Sequence, residues 1–352
     1  MQIIIPMSGF GERFRRAGYS LPKPLIPIDG KPIIAHVIDM FPGETDFLFI
    51  CNQDHLDNPD YAVRATLERY CPTVGVVGIP SHKLGPVHAV RLVEHLIRDD
   101  SPVVVNYCDF TCYWDWPQFV RFTSETGCAG AIPAYKGFHP HTLGSTNYAY
   151  MREQDGWVLD IQEKQPYTQN RMEEFASSGT YYFRNGALMK RAFKETVDLQ
   201  LHVNGEYYVS LAYRPLLAQS MPVAVYALQH FMQWGTPQDV AEYNGWSRAF
   251  RTLAEPAQPP LPPRGSMVMP MAGLESVSRM KATPLRNRLS PYQAGPWWSR
   301  QPMICPRPGI TRLSCGGTCP ATRQSARSSR TSIRAPSSPP STQSPKARHA
   351  PR

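Results

Sequence analysis

The chain has 352 residues and a formal net charge of +9, from 37 Lys and Arg against 28 Asp and Glu. This charge belongs to the second part of the chain: residues 256–352 hold 15 basic residues and one acid, whereas residues 1–255 hold 22 and 27. The first part is therefore acidic and gives no reason to expect nucleic-acid binding, and the absence of an 18-residue apolar run argues against a membrane-spanning helix.

Between residues 1 and 250, short apolar runs alternate with amphipathic stretches of helical length. This pattern is typical of a mostly parallel sheet with helices on both faces. The predicted strands are 2–6, 46–51, 73–79, 102–107, 129–134, 178–183 and 222–228. The predicted helices lie near 32–41, 59–70, 86–98, 115–125, 186–197, 206–219 and 237–250. We therefore predict one Rossmann-like α/β domain over residues 1–250 with a mixed, mostly parallel sheet, and ligands beyond the carboxyl ends of its strands.

The first predicted strand leads into a glycine-rich turn, and an arginine and a lysine follow it. Glycines let the backbone approach an anion closely, because no Cβ intervenes and a positive φ costs little. The two basic side chains supply cations where the charge of a triphosphate would need neutralising. The residues expected around a nucleotide are Met7, Ser8, Gly9, Gly11, Arg13 and Lys23.

Two further candidates follow later strands. Asp109 comes shortly after the apolar run 103–107, and a carboxylate at a strand end is well placed to hold Mg²⁺ together with phosphate oxygens. A turn or a helix cap is the alternative role for such an aspartate. Gly85 precedes Pro86 at the start of a predicted helix, which is a favourable beginning for a helix.

The N-terminal run, IIIPMSGFGERF closed by Pro22-Lys23-Pro24-Leu25, resembles the signature of the sugar-nucleotidyltransferases, the NTP_transferase family. It is most similar to the branch found in capsule and polysaccharide gene clusters. The resemblance covers residues 1–250 and implies an enzyme that joins an NTP to a sugar 1-phosphate and releases pyrophosphate. It implies that Arg13 and Lys23 are catalytic, that Asp109 binds Mg²⁺ and the nucleotide, and that Gly85 lies against the base.

The same resemblance implies an acceptor site in the second half of the domain. Glu163-Lys164-Gln165-Pro166 is similar to the family's Glu-Lys-x-Pro element, in which the acid accepts sugar hydroxyls and the lysine pairs with the phosphate. The SSGTYYF segment at 177–183 places a glycine where a sugar ring would approach. The predicted substrate-binding residues are Asn147, Glu163, Lys164, Gly179 and Glu206.

One position departs from the family pattern. Many members carry a second metal-binding aspartate two residues before the glycine of a late Gly-Thr-Pro turn, and Gln233 stands there in this chain. A glutamine offers an amide oxygen without charge. Either Asp109 is the only strong carboxylate on Mg²⁺, or the domain binds its ligand with weakened catalysis.

Three other functions are considered beside the nucleotidyltransferase. A family 2 glycosyltransferase would need an Asp-x-Asp motif, which Asp109-Phe110-Thr111 lacks. A degenerate, regulatory nucleotidyltransferase-like domain is favoured by Gln233. RNA or membrane-surface binding is what a basic tail rich in Ser, Arg and Pro suggests. The base of the NTP stays open, and so does the acceptor, since some relatives use phosphocholine or other phosphomonoesters.

Cysteine usage predicts a reducing compartment. The cysteines of the acidic part fit neither a disulfide framework nor zinc-ligand spacing; they are Cys51, Cys71, Cys108, Cys112 and Cys128. Gly9, Glu12 and Arg13 interrupt any apolar core of a signal peptide. We therefore expect a cytoplasmic protein without nucleic-acid or membrane partners, and homo-oligomerisation stays open.

The basic second part has a different explanation from nucleic-acid binding. Residues 256–352 hold 18 of the 36 prolines and lack periodic apolar residues, so we predict disorder beyond about 257. Residues 268–274 (VMPMAGL) resemble residues 4–10 (IIPMSGF), and a one-base frame shift over 280–301 permits a sequence like 17–32. We interpret 251–274 as a linker and the start of a second copy, and 275–352 as its out-of-frame remainder.

Overall fold

The computed structural model describes residues 1–144 and 146–255. Within these residues the strands are Gln2–Met7 (β1), Pro27–Ile28 (β2), Lys31–Pro32 (β3), Asp46–Asn52 (β4), Gly75–Ile79 (β5), Val103–Asn106 (β6), Phe110–Tyr113 (β7), Gly130–Tyr135 (β8), Ala149–Gln154 (β9), Trp157–Glu163 (β10), Phe175–Ser177 (β11), Thr180–Phe183 (β12), Val223–Ala227 (β13) and His230–Gln233 (β14). The interpretation of residues beyond 255 as a second copy and a tail lies outside the described residues.

The α-helices of the described residues are Glu12–Arg16 (α1), Ile33–Ile38 (α2), Gln53–Asp57 (α3), Val63–Tyr70 (α4), Pro86–Leu92 (α5), Trp116–Thr126 (α6), Gly186–Asp198 (α7), Tyr213–Ala218 (α8) and Pro237–Ala254 (α9). Short 3-10 turns are Lys23–Leu25, Pro59–Tyr61, Glu94–Leu96, Pro140–Leu143, Arg171–Glu173 and Val209–Ala212. In the described part of the chain, no helix is long and apolar enough to cross a membrane.

The main sheet is mixed, with the strand order β11-β9-β10-β13-β8-β12-β6-β1-β4-β5. β5, β4, β1 and β6 are parallel neighbours, and β13 runs parallel to β8. β12 lies between β6 and β8 and is antiparallel to both. Six of the seven strands predicted from apolar runs therefore share one direction, and the α/β fold class predicted from the sequence is confirmed.

The hydrophobic core forms two clusters, as expected for a sheet covered on both faces. Every residue of β1 is buried; Ile3 and Ile5 belong to one cluster, whereas Ile4 belongs to the other. Successive side chains of a strand point to opposite faces, so an unbroken apolar run is what a central strand requires. This arrangement explains why β1 is recognisable from the sequence.

Two predicted elements differ from the structure in ways that affect the candidate site. The helix predicted over 206–219 is wrong at its start, because Asn204 and Gly205 both have positive φ and form a turn, and the α-helix begins only at Tyr213. Asn147 and Tyr148, which the sequence predicts to lie on a strand and to line the acceptor pocket, precede β9, which begins at Ala149. Both corrections place predicted substrate-binding residues in loops.

Candidate active site

The glycine-rich turn lies between the carboxyl end of β1 and the first turn of α1. Gly11 adopts a left-handed conformation with φ of 64° directly before α1, which a residue with a Cβ rarely adopts. Met7 and Ser8 are buried, whereas Gly9 is exposed. Arg13 projects from α1 into a cavity of about 290 Å³, and a second cavity of about 220 Å³ is lined by Gly11 and Arg15.

Lys23 and Asp109 form an ion pair in the wall of the larger cavity. The Lys23 Nζ donates to the Asp109 Oδ2 at 2.7 Å, and the side chains are 24% and 26% exposed. Burial alone would lower the pKa of Lys23, but the neighbouring Asp109 leaves that pKa above its usual value. The lysine therefore stays protonated and is held over the carboxylate that was predicted to bind metal.

The acceptor side of the cavity contains a buried glutamate. Glu163 ends β10 and accepts a hydrogen bond from Ser210 Oγ at 2.7 Å. Burial raises the pKa of Glu163 to about 7, although the bond from Ser210 acts in the opposite direction. This carboxyl group is therefore poised to change its protonation state near neutral pH.

A chain of polar contacts connects the other predicted acceptor residues. Lys164 has a positive φ of 60°; its Nζ donates to the Tyr208 hydroxyl and lies 4.3 Å from the centre of that ring. The Tyr208 hydroxyl in turn donates to Glu206 Oε2. Because these groups share one hydroxyl, a shift of the Glu206 segment would also move the contact of Lys164.

Gly179 brings the two halves of the site together. It precedes β12 with φ of 103°, and a Cβ on it would lie 2.9 Å from the Phe110 ring and 3.2 Å from the Tyr107 ring. Glycine is therefore needed for packing against the strand-end segment that carries Asp109. Predicted residues that line this one cavity are Arg13, Lys23, Asp109, Asn147, Glu163, Lys164, Gly179 and Glu206.

The cavity contains functional candidates that the sequence analysis missed. The first is Asp239, whose Oδ1 accepts from Gln233 Nε2 at 2.6 Å and whose Oδ2 accepts from the Thr236 hydroxyl at 2.7 Å. Its position three residues after a threonine at a helix start was an available signal for a capping box. The others are the aromatic residues Tyr107, Tyr181, Tyr208 and Phe231.

Two carboxylate side chains lie near each other where the sequence predicts a magnesium ion. A Cβ on Gly235 would lie 3.4 Å from Asp109 Oδ2 and 3.8 Å from Asp239 Oδ2, so two carboxylates border one small space. Among the described residues no cluster of three or more His, Cys, Asp or Glu is arranged to hold a metal. Mg²⁺ usually binds one or two carboxylates and completes its coordination shell with phosphate oxygens and water. The carboxylates of Asp109 and Asp239 would supply that number.

Gly85 lies elsewhere. It is not among the residues that line the larger cavity, and a Cβ on it would lie 2.7 Å from both the backbone N and O of Tyr207. Its φ of 85° also favours glycine. Packing against another backbone segment thus requires a glycine here, and its contact with the nucleobase stays a prediction.

Comparison with solved structures agrees with the class of fold. The nucleoside-diphosphate-sugar pyrophosphorylase from Vibrio cholerae superposes with a TM-score of 0.56 at 19% identity, covering 69% of this chain and 100% of that chain. UDP-glucose pyrophosphorylase in complex with UDP-glucose gives a TM-score of 0.55 at 16% identity, covering 71% and 99%. At these identities the likeness concerns the fold alone, which is that of nucleotide-sugar pyrophosphorylases.

Sequence comparison establishes the family. Residues 2–224 match the family model described as nucleotidyl transferase, so the chain belongs to the nucleotidyl transferase family. The mannose-1-phosphate guanyltransferases of Aspergillus fumigatus and Candida albicans are each 31% identical to it over 150 residues, covering 41% of this chain. The match spans only 40% of the length of each of these relatives.

Proposed function

We propose that this protein is a nucleotidyltransferase that joins an NTP to a sugar 1-phosphate and releases pyrophosphate. The observation that carries the proposal is the composition of one cavity. Arg13 and Lys23 line it on the side of the glycine-rich turn, Glu163 and Lys164 line it on the other side, and Asp109 is part of the same wall. Cations for two phosphorylated reactants and a carboxylate for a metal are thus in one place.

The reaction is attack by an oxygen of the sugar phosphate on the α-phosphorus of the NTP. A phosphate monoester is already an adequate nucleophile, so the protein contributes by positioning the reactants and neutralising charge. Arg13 stabilises the leaving pyrophosphate, Lys23 the α-phosphate, and Lys164 the phosphate of the acceptor. Asp109 would hold Mg²⁺, with Asp239 near it, and when bound the ion neutralises charge on the phosphates.

The relatives suggest where the search for substrates should begin. Because the fungal proteins are named mannose-1-phosphate guanyltransferases, the first pair to test is GTP with mannose 1-phosphate. The full chain is then incubated with each of four NTPs and a panel of sugar 1-phosphates and other phosphomonoesters while pyrophosphate release is followed. Turnover with one pair supports the proposal. Absence of pyrophosphate release in every combination contradicts it.

A second candidate is a domain of the same family that binds nucleotides without catalysis. It is favoured by Gln233, whose amide is bonded to Asp239 and to the Tyr148 hydroxyl, in the position where a second metal-binding acid was expected. This candidate predicts NTP binding by calorimetry without pyrophosphate release. The family 2 glycosyltransferase is set aside, because the chain belongs to the nucleotidyl transferase family.

We also propose that the product serves capsule or surface polysaccharide synthesis in the cytoplasm. The support is the resemblance of the N-terminal run to that branch of the family and the cysteine usage of residues 1–255. The frame-shifted second copy rests on the similarity between residues 268–274 and 4–10. Resequencing the gene tests that interpretation, and an open second frame that continues the similarity is the expected result.

A further inference from the structure

The segment that contains Gly85 is hydrogen-bonded to a loop on the acceptor side of the cavity. The backbone N of Tyr207 donates to the carbonyl of Leu84 at 2.9 Å, and the backbone N of Val87 donates to the carbonyl of Tyr207 at 3.1 Å. Gly85 lies between these two bonds, where a Cβ would be 2.7 Å from both backbone atoms of Tyr207. The two segments can approach this closely only because residue 85 has no side chain.

The neighbours of Tyr207 carry the acceptor contacts. Glu206 and Tyr208 both line the larger cavity, and the Tyr208 hydroxyl connects Glu206 with Lys164. The position of Tyr207 therefore sets the position of three polar groups at the acceptor side. Gly85 itself does not line that cavity.

The other end of the Gly85 segment contacts the glycine-rich turn. Lys83 Nζ lies 2.8 Å from Glu12 Oε1 and 5.6 Å from the centre of the Phe10 ring. Residues 83–87 thus touch the turn proposed to bind the nucleotide at one end and the acceptor loop at the other. A fixed distance between these two ends would hold the two phosphorylated reactants at a fixed distance from each other.

We propose that Gly85 is a positioning residue for the acceptor: it fixes Glu206, Tyr208 and Lys164 relative to the glycine-rich turn. This assignment rests on the proposed function and differs from contact with the base, the role that the sequence resemblance implies. A methyl group at 85 would require the Tyr207 backbone to withdraw, because ordinary contacts of a Cβ begin at 3.4 Å and this one would be at 2.7 Å. Misplacement of reacting groups by about 1 Å is enough to lower turnover on the order of 100-fold.

The test compares Gly85→Ala with Gly43→Ala in the full chain. Gly43 has φ of 87°, almost the same as Gly85, but a Cβ on it meets nothing within 4 Å. The control therefore also places an alanine at a positive φ, but without the collision. Three quantities are measured: the KM for the acceptor, the Kd for the NTP by calorimetry, and the amide exchange rates of Tyr207 and Val87.

Gly85→Ala is expected to raise the acceptor KM about 10-fold or more, to leave the NTP Kd within about 2-fold, and to accelerate exchange at both amides. Gly43→Ala is expected to change none of these. An NTP Kd that weakens as much as the acceptor KM, or an unchanged acceptor KM, overturns the proposal in favour of base contact or of no role.

Two further measurements keep the outcome decisive. If Gly85→Ala does not fold, Tyr208→Phe, which leaves the backbone unchanged, must show the same separation between acceptor KM and NTP Kd; equal effects on both overturn the proposal. If the wild type turns over no pair of substrates, the proposed function has failed. The exchange rates then still decide whether Gly85 holds the Tyr207 segment, and unchanged rates refute it.

Discussion

Lys23→Met is expected to increase the affinity of the nucleotide-free protein for Mg²⁺ or Mn²⁺. In the structure Lys23 Nζ donates a hydrogen bond to Asp109 Oδ2 at 2.7 Å. A metal ion that binds this carboxylate must therefore compete with the lysine. Removing the competing charge without shortening the side chain greatly makes methionine the suitable replacement. The same change is expected to weaken NTP binding, because the proposed partner of the α-phosphate is lost.

The size of the effect follows from the exposure of the pair. A hydrogen bond between charged groups contributes about 1.5–3 kcal/mol when buried, whereas exposed ion pairs contribute about 0–1 kcal/mol. With side chains 24% and 26% exposed, an intermediate value of about 1–2 kcal/mol is appropriate. Since about 1.4 kcal/mol corresponds to a factor of ten, the metal affinity should rise roughly 5- to 30-fold.

The assay is calorimetric titration of Mn²⁺ into the nucleotide-free protein. Lys190→Met is the control, because Lys190 forms a 2.7 Å ion pair with Asp99 and is not among the residues lining the cavity. An unchanged or weaker metal affinity in Lys23→Met refutes the competition between the lysine and the metal for Asp109. Tight metal binding by the wild type without nucleotide contradicts it as well.

Three further predictions concern the other charged groups of the cavity. Arg13→Ala and Asp109→Asn should each lower pyrophosphate release more than ~100-fold. Arg13→Ala should leave the melting temperature close to that of the wild type, whereas Asp109→Asn, which breaks the ion pair with Lys23, should lower it by a few degrees; near-normal turnover contradicts their assignment. Burial raises the pKa of Glu163 from its usual value of 4.5 to about 7 in the folded state. The folded state therefore holds the proton more strongly, and stability falls by roughly 3 kcal/mol as the pH rises from 4.5 to 7. Glu163→Gln should remove this fall in urea unfolding at pH 5 and 8, and an identical fall in the variant refutes it. Gln233→Asp replaces the hydrogen-bond donor to Asp239 by a second carboxylate, so the free energy of unfolding should fall by roughly 2 kcal/mol without divalent cations. Mg²⁺ should restore this stability, and a melting temperature of the variant that does not change with Mg²⁺ contradicts the prediction.

The sequence predicts the central strands well because they are buried on both faces. Runs such as Ile3-Ile4-Ile5 and Val103-Val104-Val105 supply apolar side chains to both core clusters, as a strand covered on both faces requires. The antiparallel strands β10 and β11 are not predicted, because β10 alternates in burial over most of its length and β11 has three residues. β11 pairs with β8, which is distant from it in sequence.

Local sequence signals fail where tertiary contacts decide the backbone. Asn204-Gly205 looks like the capped start of a helix, yet both residues have positive φ and Tyr207 pairs with the Leu84 segment instead. Asp239 shows the opposite case: its capping role was readable from Thr236, but its place in the cavity was not. The ion pair of Lys23 with Asp109 joins residues 86 positions apart, and no local sequence pattern predicts it.

The direction of β12 is the feature that assembles the candidate site, and apolar periodicity carries no information about it. Because β12 runs antiparallel to β6, with Thr180 opposite Asn106, the residue that precedes β12 lies beside the segment that follows β6. Gly179 therefore packs against Tyr107 and Phe110, on either side of Asp109 in the chain. In a parallel arrangement the start of β12 would lie at the opposite edge of the sheet, away from the carboxyl ends of β1 and β6. The antiparallel insertion thus lets the acceptor residues of the second half share one cavity with the glycine-rich turn of the first.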